Sequence, residues 1–257
     1  MEFLTNSLKE VVSKLSEDQK EEVDIIESII SINEENKENT KENVFRFIEK
    51  RKPENCIKFI VQCIEHATII RPKERESIFF LLTSVFNNFH LNFKIAKNYY
   101  IIKDMLQVKN ILPSDKYTDK HIFDFAEEGT VGRAIFEDNI ELLQQLIATK
   151  TDEGKGQMFV INRFSSYLAF SNREKANRIE VAALFGSIKC FKYLMMIGDE
   201  INEDTCKFAI AGGNLEIIHL CEQKGLKFEK CLYISSFYHR FEIFEWLNTF
   251  TMKKFHS

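Results

Sequence analysis

The sequence predicts an all-α protein in which a helical N-terminal region is followed by a short α-solenoid. Of the 257 residues only 9 are Gly and 3 are Pro, and this scarcity of helix breakers favours helices throughout the chain. One helical pattern also recurs at a nearly fixed spacing in the C-terminal half, as in solenoids whose units pack on their neighbours. All nine glycines lie between Gly129 and Gly225, so we predict two regions, residues 1–122 and 123–257.

The N-terminal region carries the start signals and apolar faces of several helices. Residues 16–19 have the pattern of a capping box and precede an apolar helix face. Pro53 and Pro72 each stand where a helix restarts, because the first turn of a helix does not need the missing N–H of proline. A further helix is predicted over residues 93–108. Since helices joined by short connections pack as antiparallel neighbours, we expect a helical bundle or an irregular helical solenoid over residues 1–122.

Four copies of one helical pattern are predicted in the C-terminal region. Three copies begin at Ala182, Ala209 and Ser235, which are 27 and 26 residues apart, and a degenerate copy begins at Ala134. The degenerate copy carries Asp138 where the second and third copies carry a glycine. With their flanking residues, the four copies lie near residues 129–150, 177–198, 204–225 and 230–251.

An insert separates the first copy from the second. The two copies start 48 residues apart, which exceeds the period of 27 by 21 residues. The excess falls near residues 149–176, where residues 151–156 have the composition of a flexible loop. Residues 158–170 could form a helix that belongs to a damaged repeat.

The repeats resemble ankyrin repeats. Ala182-Ala183 followed by Gly186 resembles the Ala-Ala-x-x-Gly step between the two helices of an ankyrin unit. Small residues at this step let the inner helix approach its neighbour, and the glycine ends that helix in a left-handed conformation. Residues 214–218 are similar to the start of the ankyrin outer helix. Gly198 lies twelve residues after Gly186, at the position of the glycine that closes the outer helix, and the third copy repeats this spacing.

The repeats also depart from the ankyrin pattern. The Thr-Pro-Leu-His signature is absent, and the copies are shorter than the ~33 residues of an ordinary ankyrin unit. The shortening falls between Gly198 and Ala209, so we expect stunted hairpins and a partner surface made mainly by inner helices. Short, Phe-rich repeats behind a helical region resemble an ankyrin-like family of domains of unknown function that is expanded in protists. Residues 123–250 carry this resemblance.

Charge and targeting signals bound the partners and the compartment. The net charge is −4, and no basic run extends beyond residues 50–52, so neither nucleic acid nor an anionic membrane is an expected partner. The N-terminus lacks the pattern of a signal peptide, and no apolar run is long enough to span a bilayer. Six scattered cysteines lie mostly within helical patterns, which predicts an intracellular, cytoplasmic protein.

The sequence contains no convincing catalytic or metal-binding pattern. Cys63 and His66 have the spacing of metal ligands, but a structural zinc site needs about four ligands and no second pair is visible. His219 and Cys221 could suggest a nucleophile with its base, yet Cys221 falls in the apolar core position of its helix, where a thiol is inert. We therefore predict no metal, no cofactor and no enzymatic activity.

The predicted function is that of a non-enzymatic protein–protein interaction module, an ankyrin-like scaffold or adaptor. Solenoids present extended surfaces to other proteins. An alternative is a structural protein that self-assembles through the aromatic side chains of its last repeat, either packed inward or exposed as a patch. The candidate partner-binding residues are Asn177, Arg178, Glu180, Asp199, Glu200, Glu203, Asp204, Lys207 and Trp246.

Overall fold

A computed structural model describes most of the chain. The described residues are 13–51, 53–92, 99–115, 118–149, 158–160, 175–228 and 231–255. Every described element longer than three residues is an α-helix, which confirms the prediction of an all-α protein. The chain divides into two compact units, Met1–Phe123 and Asp124–Ser257.

The first unit is built around one long helix. Helix α3 contacts α1, α2, α4 and α5, and the apolar faces of these helices form a common buried core. A capping box opens α1, as predicted: the Ser16 hydroxyl accepts from the Gln19 N–H at 3.2 Å, and the Gln19 side chain accepts from the Ser16 N–H at 3.0 Å. The helices are α1 (Glu17–Ile30), α2 (Lys37–Lys50), α3 (Pro53–Ile70), α4 (Arg75–Asn88), which follows a 3-10 turn at Pro72–Glu74, and α5 (Tyr100–Val108).

The second unit consists of helix pairs and one short strand pair. The elements are α6 (Val131–Phe136), α7 (Ile140–Thr149), β1 (Met158–Val160), β2 (Lys175–Asn177), α8 (Arg178–Leu184), α9 (Ile188–Met196), α10 (Glu203–Gly212), α11 (Leu215–Gln223), α12 (Cys231–Phe237) and α13 (Phe241–Phe255). The first helices of the pairs contact one another in the order α6, α8, α10, α12. The second helices do the same in the order α7, α9, α11.

The position between the two helices of a pair has the same backbone conformation in all four copies. Asp138, Gly186, Gly213 and His239 have φ angles of 54°, 63°, 76° and 52°. This left-handed conformation was predicted for the two glycines, which adopt it without steric cost. Asp138 and His239 adopt it despite their Cβ atoms, so the turn is imposed by the packing of the pair as well as by the residue type.

Asp138 links the first copy to the second. Its carboxylate accepts from the backbone N–H groups of Cys190 at 2.9 Å and Lys189 at 3.3 Å. These groups belong to the first turn of α9, where N–H groups have no acceptor within the helix. Ser187, the residue that precedes α9, makes no capping hydrogen bond with its own side chain. A carboxylate from the neighbouring copy therefore caps α9.

Similar links join the later copies through different side chains. The Asn214 side chain donates to the carbonyl of Gly186 at 3.1 Å. Arg240 donates to the carbonyls of Ala211 at 3.0 Å and Gly212 at 3.1 Å. In each case the residue that follows a turn satisfies carbonyl groups at the end of the preceding copy's first helix. Successive turns are thus connected by hydrogen bonds from one copy to the next.

Loss of the Asp138 carboxylate should destabilise the second unit. We expect Asp138→Ala to lower the free energy of unfolding by about 1–2 kcal/mol, because α9 loses its cap and Ala is strained in a left-handed conformation. Asp138→Asn should cost less, since Asn tolerates this conformation and keeps one acceptor oxygen. Urea denaturation measures both differences. Equal stability of the Ala variant and the unmodified protein would show that the capping hydrogen bonds contribute nothing.

The insert between the first two copies contributes a strand pair. Strands β1 and β2 are antiparallel, with Met158 opposite Asn177 and Val160 opposite Lys175. The prediction of a helix that begins at residue 158 is wrong at residues 158–160, because their backbone groups pair with β2 and Phe and Val favour extended structure. The rest of that predicted helix, residues 161–170, lies outside the described residues.

The helices of the described segments were also compared with the dimensions of a bilayer. None of them combines the length and the apolar character that crossing a membrane requires.

Candidate partner-binding face

Two of the predicted partner residues form the start of α8. The Asn177 side chain accepts from the Glu180 N–H at 2.9 Å, and the Glu180 carboxylate accepts from the Asn177 N–H at 2.9 Å. This capping box uses the side chain of Glu180 inside the fold, where its exposed fraction is 0%. Asn177 is half-buried at the same turn.

Arg178 and Asp199 form an ion pair within the fold. The Arg178 Nε atom donates to Asp199 Oδ2 at 2.6 Å, and a second guanidinium nitrogen donates to Oδ1. The exposed fraction of Arg178 is 4%. The prediction that Arg178 and Glu180 are accessible to a partner is therefore wrong, because pairing and capping bury both side chains. Their charged side chains stabilise the second copy instead.

The other candidates lie on the loop before α10 and on its first turns. Glu200 and Glu203 are exposed, and Asp204 forms an ion pair with Lys207 at 2.6 Å. The Asn202 side chain caps α10 by accepting from the N–H groups of Asp204 and Thr205. This local capping leaves Glu200 and Glu203 accessible to another molecule.

Exposure increases from one copy to the next along the first helices. Glu180, Lys207 and Tyr233 stand at the same position of the repeat, two residues before Ala182, Ala209 and Ser235. Their exposed fractions are 0% for Glu180, 24% for the Lys207 side chain and 59% for Tyr233.

Helix α8 and its two successors differ in the same way along their whole length. All seven residues of α8 are buried, and β1 contacts this helix. Helices α10 and α12 both retain an exposed side. We name this accessible surface, formed by Glu200, Glu203, Asp204, Lys207 and Tyr233, the α10–α12 face.

Tyr233 was missed as a binding candidate at the level of sequence. It was noticed only as a member of the aromatic run in the last copy. Its alignment with Lys207, which was a candidate, was the available signal. The structure thus adds an exposed aromatic ring to a surface that was predicted from charged residues.

Trp246 lies in a different environment from Tyr233. It is half-buried on α13, and its indole packs edge-on against Phe228, with 5.2 Å between ring centroids and 75° between planes. Ile243 and Leu247 on the same helix are buried. The packed side of α13 thus includes Trp246, while the side chains of residues 250–255 lie outside the described set.

Three cysteines on neighbouring helices lie in the interior of the last two copies. Cys206, Cys221 and Cys231 are buried, and Cys221 occupies the core position predicted for it. Burial raises the pKa of the Cys231 thiol to about 12, and a hydrogen bond to Cys221 raises the pKa of Cys206 above its usual range. Thiols held in the protonated form are poor nucleophiles. Within the described segments, no group of three or more His, Cys, Asp or Glu residues is placed to hold a metal ion.

The raised pKa of Cys231 predicts a loss of stability at alkaline pH. Between the ordinary thiol value of 9.0 and the folded value of about 12, the thiol is protonated in the folded state and ionised in the unfolded state. Its contribution is therefore complete below the unfolded pKa and is lost as pH rises toward the folded pKa. The expected slope is about 1.4 kcal/mol per pH unit for this thiol.

Urea denaturation at a series of pH values in this range measures that slope. Cys231→Ala is the control, because it removes the titrating group and should make the decline shallower, whatever its effect on stability at neutral pH. A slope that is the same with and without Cys231 would contradict the prediction.

A family model covers the segment that contains the α10–α12 face. Residues 197–256 match the model described as Domain of unknown function (DUF3447). The matched segment contains α10, α11, α12 and nearly all of α13. Searches of the curated proteins and of the solved structures gave no significant match.

Proposed function

We propose that this chain is a non-enzymatic, ankyrin-like module of the cytoplasm that binds another protein through the α10–α12 face. The observation that carries the proposal is the accessibility of this face, on first helices that pack in series. Interaction modules of the solenoid type use such a row of helices to contact a partner.

The ankyrin-like character has two structural supports. Helix pairs succeed one another with first helix on first helix and second helix on second helix. The residue between the helices of each pair is left-handed in all four copies, including Asp138 and His239. Both features are those of a short α-solenoid whose units share one design.

The alternative function, self-assembly through the aromatic C-terminal repeat, has less support. It requires Trp246 to be available to a second copy, and the packing of its ring against Phe228 uses part of the indole within the chain. Tyr233 remains accessible, but it belongs to the face assigned to a different protein. Self-assembly is therefore the outcome that would replace the proposal if the mass of the protein in solution required it.

Charge reversal on the α10–α12 face tests the proposed function. The variant Glu200→Lys/Glu203→Lys should lose the proteins that the unmodified chain captures from cell extract, because like charges now oppose the partner. Its thermal stability should stay within about 0.5 kcal/mol, the usual range for surface substitutions.

The matched control places the same charge change on second helices. Glu141 and Glu222 are exposed on α7 and α11, and Glu141→Lys/Glu222→Lys should capture the same proteins as the unmodified chain. Capture that is unaffected by the Glu200/Glu203 variant, or reduced equally by the control, would remove the α10–α12 face from the proposal.

A further inference from the structure

Helix α12 presents an aromatic ring to solvent on its first turn. Tyr233 is more than half exposed, and its ring lies 6.1 Å from that of Phe237, which is half-buried behind it. Tyr is enriched among the residues that contribute most to binding energy at interfaces. The face of its ring also carries partial negative charge, which attracts cations.

The charges near this ring are predominantly negative. Glu200 and Glu203 are exposed and have no ion-pair partner among the described residues. The other acidic side chains of this stretch belong to the two ion pairs described above, each of which is neutral. The face therefore presents two uncompensated carboxylates to an incoming molecule.

Glu203 and Tyr233 lie on helices that contact each other. Helix α10 packs against α12, and the charges of Glu203 and Lys207 act on the thiol of Cys231 in opposite directions. Cys231 is the first residue of α12 and precedes Tyr233 by two positions. The first turn of α10 and the first turn of α12 therefore form one continuous surface.

We propose that the α10–α12 face recognises a segment of its partner that is rich in Lys and Arg. The carboxylates of Glu200 and Glu203 pair with cationic groups of that segment, and a further cation packs over the ring of Tyr233. Charge complementarity selects this occupant, since an acidic segment or a phosphate backbone would meet the same carboxylates with like charge. The inference rests on the proposed function and specifies the chemistry of the partner.

A random peptide library displayed on phage, selected on the full-length chain, tests this inference. We expect the recovered peptides to be enriched in Lys and Arg relative to the unselected library. A synthetic copy of the most enriched peptide should bind Glu200→Lys/Glu203→Lys and Tyr233→Ser each about tenfold more weakly than the unmodified chain. Tyr233→Phe should retain binding, because the ring that attracts the cation is still present.

Recovered peptides that are neutral or acidic would overturn the inference, as would a selection that enriches nothing. Basic peptides that bind the Glu200/Glu203 and Tyr233→Ser variants as tightly as the unmodified chain would overturn it too. The capture experiment separates this failure from that of the proposed function. If proteins are captured through the face but selection shows no bias toward Lys and Arg, the binding function stands and the assigned partner chemistry is wrong.

Discussion

Gly212→Ala should be among the most destabilising single substitutions in the second unit, with an expected loss of about 3 kcal/mol or more. Gly212 is the last residue of α10, and a Cβ atom there would lie 2.1 Å from the carbonyl oxygen of Ala183 and 2.8 Å from that of Leu184. Both atoms are backbone, so no side-chain rotation can make room. Helices α8 and α10 would have to separate, and the buried contacts between them would be lost.

The contrast with Gly198 makes this prediction specific. Gly198 has a φ angle of 94° and open space around its missing Cβ, so Gly198→Ala should cost only the strain of about 1–2 kcal/mol. Propensity alone gives the opposite order, because Ala in a helix is favoured over Gly by about 1 kcal/mol. Chemical denaturation of the two variants decides the question. A Gly212→Ala protein that is as stable as the unmodified chain would show that α8 and α10 do not approach so closely.

Removal of the Asp199 carboxylate should have the second large effect, about 3 kcal/mol. Asp199→Ala leaves the guanidinium of Arg178 buried without its partner, and an uncompensated buried charge is costly. Arg178→Lys should also destabilise the protein, because an ammonium group cannot make the two parallel hydrogen bonds to the carboxylate. Urea denaturation at neutral pH measures both losses.

The double variant Arg178→Met/Asp199→Ala is the control for this prediction. Because it removes both charges, it should be more stable than Asp199→Ala alone. A double variant that is no more stable than the single one would contradict the assignment of the loss to an unpaired buried charge.

The repeat pattern allowed much of the second unit to be predicted. Small residues at Ala182-Ala183 and the glycine spacing predicted where one helix ends and the next begins, because left-handed turns and close helix contacts require such residues. The frame extended correctly to Asp138, whose φ angle matches those of the glycines. The cap that Asp138 provides to α9 was not predicted, since its two acceptor contacts are more than fifty residues away along the chain.

The candidate binding residues show where sequence reasoning was less successful. The Asn-x-x-Glu spacing of Asn177 and Glu180 was a readable capping-box signal, yet both residues were interpreted as surface positions. The burial of Arg178 depends on Asp199, 21 residues away, and a single sequence does not reveal such a partner. The strand at residues 158–160 escaped prediction for the same reason, because its pairing partner lies beyond a long connection.

The central claim is that the α10–α12 face binds a different protein and that the chain itself does not assemble. Light scattering of the purified protein over a wide concentration series tests this claim most directly. We predict a constant mass of 30.2 kDa, that of one chain, for the unmodified protein and for Trp246→Glu alike. A mass that rises with concentration, and that returns to one chain in Trp246→Glu with helicity intact, would contradict the claim and assign the function to self-assembly.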